Sequence, residues 1–264
     1  MTGALEGKKA IVTGATSGIG VGIAALFAKE GAEVAVVGRN AERGEGVASK
    51  ISASGGKAFF VQADVSKSSD VERMVSTCVQ RMGGVDVLVN NAGVQALGKL
   101  TEMTEADWDT VFGINVKGTF LCSRAVVPEM LKRGGGAIVN IGSVGGLRSF
   151  AGGSIYCSSK SAIVAFTKAV ALEYGSRGVR ANCICPGSIE TPMLAEYADH
   201  KDATEALNRK ARDEIAAGIP VGRIGTPDDV ARMVVFLASS GSSFLNGGIY
   251  VVDGGATAGQ IAAP

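Results

Sequence analysis

Tyr156 and Lys160 stand four residues apart, thirteen residues after Ser143. A phenol is a poor acid-base catalyst at neutral pH, because its reference pKa is about 10. A nearby ammonium favours the phenolate and lowers that pKa, so the pair could move a proton near working pH. The chemistry needs a helix, on which positions four apart share one face. Tyr156 opens a long helix-like run, which turns both side chains toward one spot. Y-x-x-x-K also arises on ordinary helix surfaces, so the pair alone does not fix a function. His200 is the sole histidine and lies in a polar stretch, which leaves Ser-His-Asp chemistry little to stand on.

A proton-moving pair needs a scaffold and something to act on. Near the N-terminus, the apolar run Lys9–Val12 leads into Thr13-Gly14-Ala15-Thr16-Ser17-Gly18-Ile19-Gly20. A helix-like stretch with Ile23, Leu26 and Phe27 follows. Strand, glycine turn and helix form a phosphate cradle: glycine lets the backbone approach a pyrophosphate, and a helix N-terminus favours its charge. The spacing is G-x-x-x-G-x-G, not the G-x-G-x-x-G of the usual dinucleotide fingerprint.

Further apolar strands are expected at Val34–Gly38, Ala58–Ala63, Val85–Asn90, Ala137–Ile141, Val179–Ile184 and Ile249–Val252, separated by helix-length patterns. Seven strands of this kind predict an α/β fold, a Rossmann-like doubly wound parallel sheet with helices on both faces. Residues 1–264 read as one catalytic domain. Such sheets bind ligands beyond their strands' carboxyl ends, where Thr13, Arg39, Asp64, Asn90, Ser143 and Pro186 fall. The long polar segment 191–218 reads as a substrate lid, or else as a surface excursion of one or two helices.

T-G-x-x-x-G-x-G from Thr13, Asn90-Asn91-Ala92-Gly93, Asn115, Ser143, Tyr156-x-x-x-Lys160 and Pro186-Gly187 together resemble the short-chain dehydrogenase/reductase (SDR) family. The resemblance spans about Gly7 to Gly255. It implies hydride transfer between a nicotinamide and a ketone or secondary alcohol. It further implies that Tyr156 is the acid-base, that Lys160 lowers the Tyr156 pKa and binds the nicotinamide ribose, and that Ser143 donates to the substrate oxygen. Asn115 would hold a water joining Lys160 to solvent, or else kink its helix. By position, Gly14, Ser17, Gly18, Ile19 and Gly20 would form the phosphate turn. Asp64 and Val65 would meet the adenine, and Asn91, Ala92 and Gly93 would lie behind the adenosine ribose. Pro186, Gly187, Ile189 and Thr191 would hold the nicotinamide. Gln95, Leu97, Val144, Leu147, Ile155, Met193, Leu194 and Tyr197 are candidate substrate walls, with Arg148 the one charged candidate near the mouth.

NAD selection normally uses an acidic residue at the end of the second strand. Here that position is Arg39, a planar cation suited to phosphate. NADP(H) is therefore expected, with NAD(H) the alternative. A narrower reading is a beta-ketoacyl-acyl-carrier-protein reductase, with Lys132, Arg133 and Arg177 as a basic patch for the acidic carrier. A different class is a non-catalytic nucleotide-binding sensor on the same fold.

Composition narrows the rest. Lys and Arg number 26 against 25 Asp and Glu, giving a net charge of +1. That balance makes no electrostatic case for nucleic acid or an acidic membrane. No apolar run of about 18 residues and no charged-then-apolar leader is seen, so a cytoplasmic protein is expected. The five cysteines lack metal-ligand spacing and read as buried small hydrophobes. Ser158–Tyr174 is apolar nearly all round, and Val111–Met130 is broadly so. These helices predict a subunit interface, and the family resemblance points to a homotetramer.

Overall fold

Valine, isoleucine and alanine run almost unbroken through short strands, the pattern of a sheet covered on both faces. The strands are β1 (Lys9–Thr13), β2 (Glu33–Gly38), β3 (Lys57–Gln62), β4 (Val87–Asn90), β5 (Gly136–Ile141), β6 (Val179–Pro186) and β7 (Ile249–Val252). They form one seven-stranded sheet in the order β3-β2-β1-β4-β5-β6-β7, with every neighbouring pair parallel. The computed structural model describes residues 3–198 and 205–259, without the side chains of 197–198 and 205–207. The largest departure from the expected strand bounds is two residues. β6 extends to Pro186, which pairs with Val252. Proline has no N–H, and the next amide, Gly187, donates to the Val252 carbonyl at 3.0 Å.

The helices are α1 (Gly18–Lys29), α2 (Ala41–Ala53), α3 (Ser68–Met82), α4 (Glu105–Phe112), α5 (Gly118–Lys132), α6 (Ser154–Tyr174), α7 (Pro192–Ala198), α8 (Glu205–Ala217) and α9 (Pro227–Ala238). Three of their starts carry side-chain caps. Thr104 with Asp107, and Thr226 with Asp229, make reciprocal capping boxes, and Asn40 accepts from the Arg43 amide. Side chains alternate across each strand, so two cores form. Val12, Val34, Val89 and Val139 meet Ile23, Phe27, Val234 and Leu237 on one face. Ile11, Ala35, Leu88 and Ile138 meet Met74, Leu121, Val126 and Met130 on the other. Burying each of the larger of these side chains fully contributes roughly 1.5–3 kcal/mol.

Two expectations change here. Lys132 is paired with Glu129 at 2.7 Å, Arg133 with Asp86 at 2.8 Å, and Arg177 lies over Tyr174. Asp86, Arg133 and Arg177 precede β4, β5 and β6, so this group sits at the amino ends of the strands. That is the edge opposite the carboxyl-end crevice, and two of its three charges are neutralised. It is no basic patch beside the site. Helix α6 is also less uniform than its sequence suggests. Ile163, Thr167 and Val170 are buried, Phe166 packs against the second core, and Ala165, Ala169 and Leu172 face outward. All five cysteines are buried and free. Among the described residues, no helix is long and apolar enough to cross a membrane.

Candidate active site

β1 and β4 are neighbours although β2 and β3 intervene in the chain, so the crevice at the switch point opens between their carboxyl ends. Thr13 and Asn91 stitch those ends together. Thr13 Oγ1 donates to the Val89 carbonyl at 3.1 Å and accepts from the Asn91 and Ala92 amides. Asn91 Nδ2 donates to the Thr13 and Gly14 carbonyls at 2.9 and 3.1 Å. The glycine turn is held against this stitch. Gly14 has φ +64°, and a Cβ there would stand 2.7 Å from Ala92 Cα. Gly18 has φ +56° and faces Thr191, so the turn looks across at the loop that follows β6. Only glycine holds the two positive-φ positions without strain.

A cleft of about 860 Å³ runs from this turn along the carboxyl edge. Its lining includes Gly14, Ser17, Gly18, Ile19, Arg39, Asp64, Val65, Asn91, Ala92, Gly93, Pro186, Gly187, Ile189 and Thr191. Ser143, Tyr156 and Lys160 line it too, as do Gln95, Leu97, Val144, Met193 and Leu194. Gly20 lies beneath the turn, where a Cβ would stand 2.4 Å from the Gly14 carbonyl oxygen. Leu147 is exposed outside the cleft lining, Ile155 is buried behind it, and Asn115 is buried beneath it. The Tyr197 side chain and His200 lie outside the described residues.

Three elements deliver the proton-handling groups. β5 ends at Ile141, and the extended Ser143 begins a short 3-10 turn over Val144–Gly146. The Ser143 oxygen accepts from the Gly145 amide at 3.0 Å, which leaves its own proton to donate elsewhere. The turn lies directly on α6: Ser161 Oγ donates to the Gly146 carbonyl at 2.9 Å, and a Cβ on Gly146 would meet the Lys160 backbone at 2.8 Å. Helix α6 then brings up Tyr156 and Lys160, with Lys160 Nζ at 5.8 Å from the Tyr156 ring centroid. Burial raises the Tyr156 pKa, and the Ser143 hydroxyl partly offsets this. Burial is also the main influence on Lys160, whose pKa falls to about 8. Desolvation of the phenol, rather than the Lys160 charge, is thus the leading influence on Tyr156 in this structure.

Asn115 sits in a π-helical turn, Gly113–Lys117, between α4 and α5. Its Oδ1 accepts from the Val94 amide, while Nδ2 donates to the Val94 carbonyl and to Ser159 Oγ, at 2.9 to 3.0 Å. The side chain therefore clamps the loop after β4 onto α6. Gly93 passes above it, where a Cβ would stand 3.5 Å from Lys160 Nζ.

Comparison with known proteins identifies the family. A family model described as enoyl-(acyl carrier protein) reductase matches residues 14–257. The chain is 39% identical to the 3-oxoacyl-(acyl-carrier-protein) reductase FabG of Thermotoga maritima, over 95% of this chain and 98% of that one. It is 42% identical to the 2-(R)-hydroxypropyl-CoM dehydrogenase of Xanthobacter autotrophicus, over 95% and 99%. The chain belongs to the short-chain dehydrogenase/reductase family. A solved SDR structure, a gluconate 5-dehydrogenase from Burkholderia cenocepacia in complex with NADP and tartrate, superposes with a TM-score of 0.89. That protein is 31% identical, and the match covers 97% of each chain. This SDR is accordingly an oxidoreductase acting on CH–OH or C=O groups.

Sequence reasoning missed two residues that line the SDR cleft, Arg43 and Phe150, and one ion pair beside it. Arg43 lines it beside Arg39 and Asn40; its signal was a second arginine in the first turn of a helix capped by Asn40. Neither Arg39 nor Arg43 makes an ion pair among the described residues, and Glu42 does not line the cleft. Phe150 lines the cleft near Tyr156. Glu190, after β6, pairs with Arg212 of α8. Neither of the last two carried a motif.

Proposed function

We propose that this chain is an NADP(H)-dependent reductase of ketones, or a dehydrogenase of secondary alcohols, with Tyr156 as its acid-base. The observation that carries the reading is the meeting of Ser143, Tyr156 and Lys160 in one cleft with the glycine turn and with Arg39 and Arg43. A nicotinamide dinucleotide fits the residues present. The narrow turn at Gly14 and Gly18 suits a pyrophosphate, and the loop from Pro186 to Thr191 faces it. When bound, the nicotinamide supplies or accepts the hydride.

In reduction, the Tyr156 hydroxyl gives its proton to the carbonyl oxygen, and Ser143 donates a second hydrogen bond to that oxygen. Both interactions strengthen as negative charge grows there. Lys160 spends one of its three ammonium protons on the Ile141 carbonyl and keeps two for a ribose hydroxyl and the phenol side. Asn115 fixes Val94 and Ser159, which sets the spacing between the loop after β4 and α6. Arg39 and Arg43 offer two guanidinium forks to a ribose 2′-phosphate. The α7 and α8 segment acts as the lid of a single catalytic domain. Its Met193 carbonyl accepts from Gln95 Nε2 at 3.0 Å, and Arg212 binds Glu190.

Reduction of a 3-oxoacyl thioester on a carrier protein is the second reading, favoured by the FabG relative. NADPH and NADH carrying deuterium at C4 would be supplied with simple ketones, an acetoacetyl thioester and a crotonyl thioester. Deuterium on the carbinol carbon, delivered faster from NADPH, is the expected result. Label delivered only to the crotonyl C=C bond, or to nothing, would sink the reading.

A further inference from the structure

Phe150 sits in a seat made by two glycines. A Cβ on Gly153 would stand 2.6 Å from Phe150 Cε2, and one on Gly145 would stand 3.2 Å from Cε1. Backbone from the turn after β5 and from the residue before α6 therefore grips one edge of the ring. The rest is bare: Phe150 lines the cleft yet keeps 45% of its surface exposed. Its centroid lies 6.5 Å from that of Tyr156, with the rings tilted by 46°. A held aromatic face beside the proposed proton donor is positioned to receive the part of a substrate attached to the reacting carbon.

The surroundings restrict what that part can be. Val94, Leu97, Val144, Met193 and Leu194 continue the wall, and the polar side chain among them is Gln95. One of its two amide N–H groups is used on the Met193 carbonyl, and the amide carries no charge to balance an ion. The charged residues lining the cleft are Arg39, Arg43, Asp64 and Lys160. The first three stand beyond β2 and β3, at the far side of the sheet, and Lys160 is buried against the Ile141 carbonyl. Among the described residues, a carboxylate or ammonium on the substrate would lose its hydration here and find no opposite charge beside Phe150. An aromatic ring would instead meet Phe150 by stacking or edge contact, and the Met193 thioether by sulfur–aromatic contact. Both gains exceed what area burial alone gives a straight alkyl chain.

Resting on the reductase reading above, we infer that the preferred substrate is an uncharged ketone bearing an aryl ring, and that Phe150 is the residue that selects it. The experiment compares kcat/KM for phenylacetone, 2-butanone, 4-acetylbenzoate and an acetoacetyl thioester, in the wild type and in Phe150→Ala and Phe150→Leu. Wild type should prefer phenylacetone to each of the others by at least about tenfold. In both variants the ratio of phenylacetone to 2-butanone should fall about tenfold, and Phe150→Leu keeps volume in the glycine seat if Phe150→Ala folds poorly. Equal use of aryl and alkyl ketones, a preference for the carboxylate or the thioester, or a ratio unmoved in Phe150→Leu would overturn the inference while leaving the reductase reading intact. No turnover of any ketone would overturn that reading instead. Saturation-transfer NMR of phenylacetone on the wild type with NADP⁺ then decides the subsite alone. Transfer to the ring protons that is lost in Phe150→Leu supports it, and its absence in the wild type overturns it.

Discussion

Lys160 Nζ donates to the main-chain carbonyl of Ile141 across 2.9 Å, joining α6 to the last residue of β5. The bond holds an ammonium in a fully buried position, and burial lowers its pKa from 10.5 to about 8. Between those values the unfolded chain binds more protons than the folded one, so this group makes stability rise with pH. The rise amounts to about 3 kcal/mol across the window. Lys160→Met should abolish it, along with turnover and most of the cofactor affinity. Calorimetric melts of both proteins near pH 7.5 and pH 10 measure the effect. Their difference isolates Lys160 from the cysteines, which titrate in the unfolded chain over the same range. Parallel pH slopes would show that the charge is not held as described.

Tyr156→Phe keeps the ring and removes the proton. Turnover should fall by a factor of about 10² to 10⁴, the usual contribution of a positioned general acid. NADP(H) affinity, read by quenching of protein fluorescence or by calorimetry, should change less than about threefold. A variant retaining a tenth of the parent kcat would rule Tyr156 out as the acid.

The pH profile should differ between the two directions. Burial raises the Tyr156 pKa, so the phenol is protonated at neutral pH and ready to serve reduction. Oxidation needs the phenolate, and its kcat/KM should climb through the alkaline range while reduction declines only there. Ser143 lowers the Tyr156 pKa, so Ser143→Ala should move the alkaline limb to higher pH as well as reduce kcat. An unmoved limb in that variant would disconnect the two hydroxyls.

Cofactor choice should follow the two arginines at the end of β2. Arg39→Ala and Arg43→Ala should each reduce kcat/KM for NADPH by about tenfold or more, as expected for loss of a charge-assisted hydrogen bond. NADH should be affected far less. Steady-state kinetics with both cofactors tests this, and a wild type that uses NADH as well as NADPH would remove the basis for it.

The outward side of α6 should be covered by another copy of the chain, in a tetramer. Leu172 is 86% exposed, with Ala165 and Ala169 on the same side, and Phe120 of α5 is 42% exposed. Leu172→Asp should lower the molar mass measured by light scattering at micromolar concentration. A parent protein that is already monomeric would contradict the prediction.

The fold was legible because its signals are local and repeated. Most strands are short apolar runs that end at or just before Gly, Asn or Pro, and the glycine turn announces the first helix. Tyr156 and Lys160 were legible for the same reason, since helix periodicity turns them to one side, whereas Ser143 was legible through the family resemblance. What stayed hidden depends on contacts between distant segments. The seat of Phe150 exists because Gly145 and Gly153 both lack a side chain in three dimensions. The buried Asn115 amide gives no sequence sign that it will spend itself on Val94 and Ser159. Lys132, Arg133 and Arg177 look like a patch in one dimension, but the parallel connections carry them to the amino ends of the strands. A desolvated lysine looks like any other until its neighbours are known.

The bond from Asn91 Nδ2 to the Gly14 carbonyl spans 77 residues of chain. The glycine turn is therefore completed by an amide that lies far downstream. An emerging chain that has produced β1, α1, β2, α2 and β3 has every residue of the turn and lacks the residue that fastens it. β1 also lacks its second neighbour, since β4 must insert beside it. Parallel pairings of this reach must close a long loop before they gain contacts, which makes them slow steps. The nucleotide cradle thus takes its final shape with the arrival of β4 rather than with its own helix, and assembly of the sheet's centre and competence to hold a dinucleotide become one event.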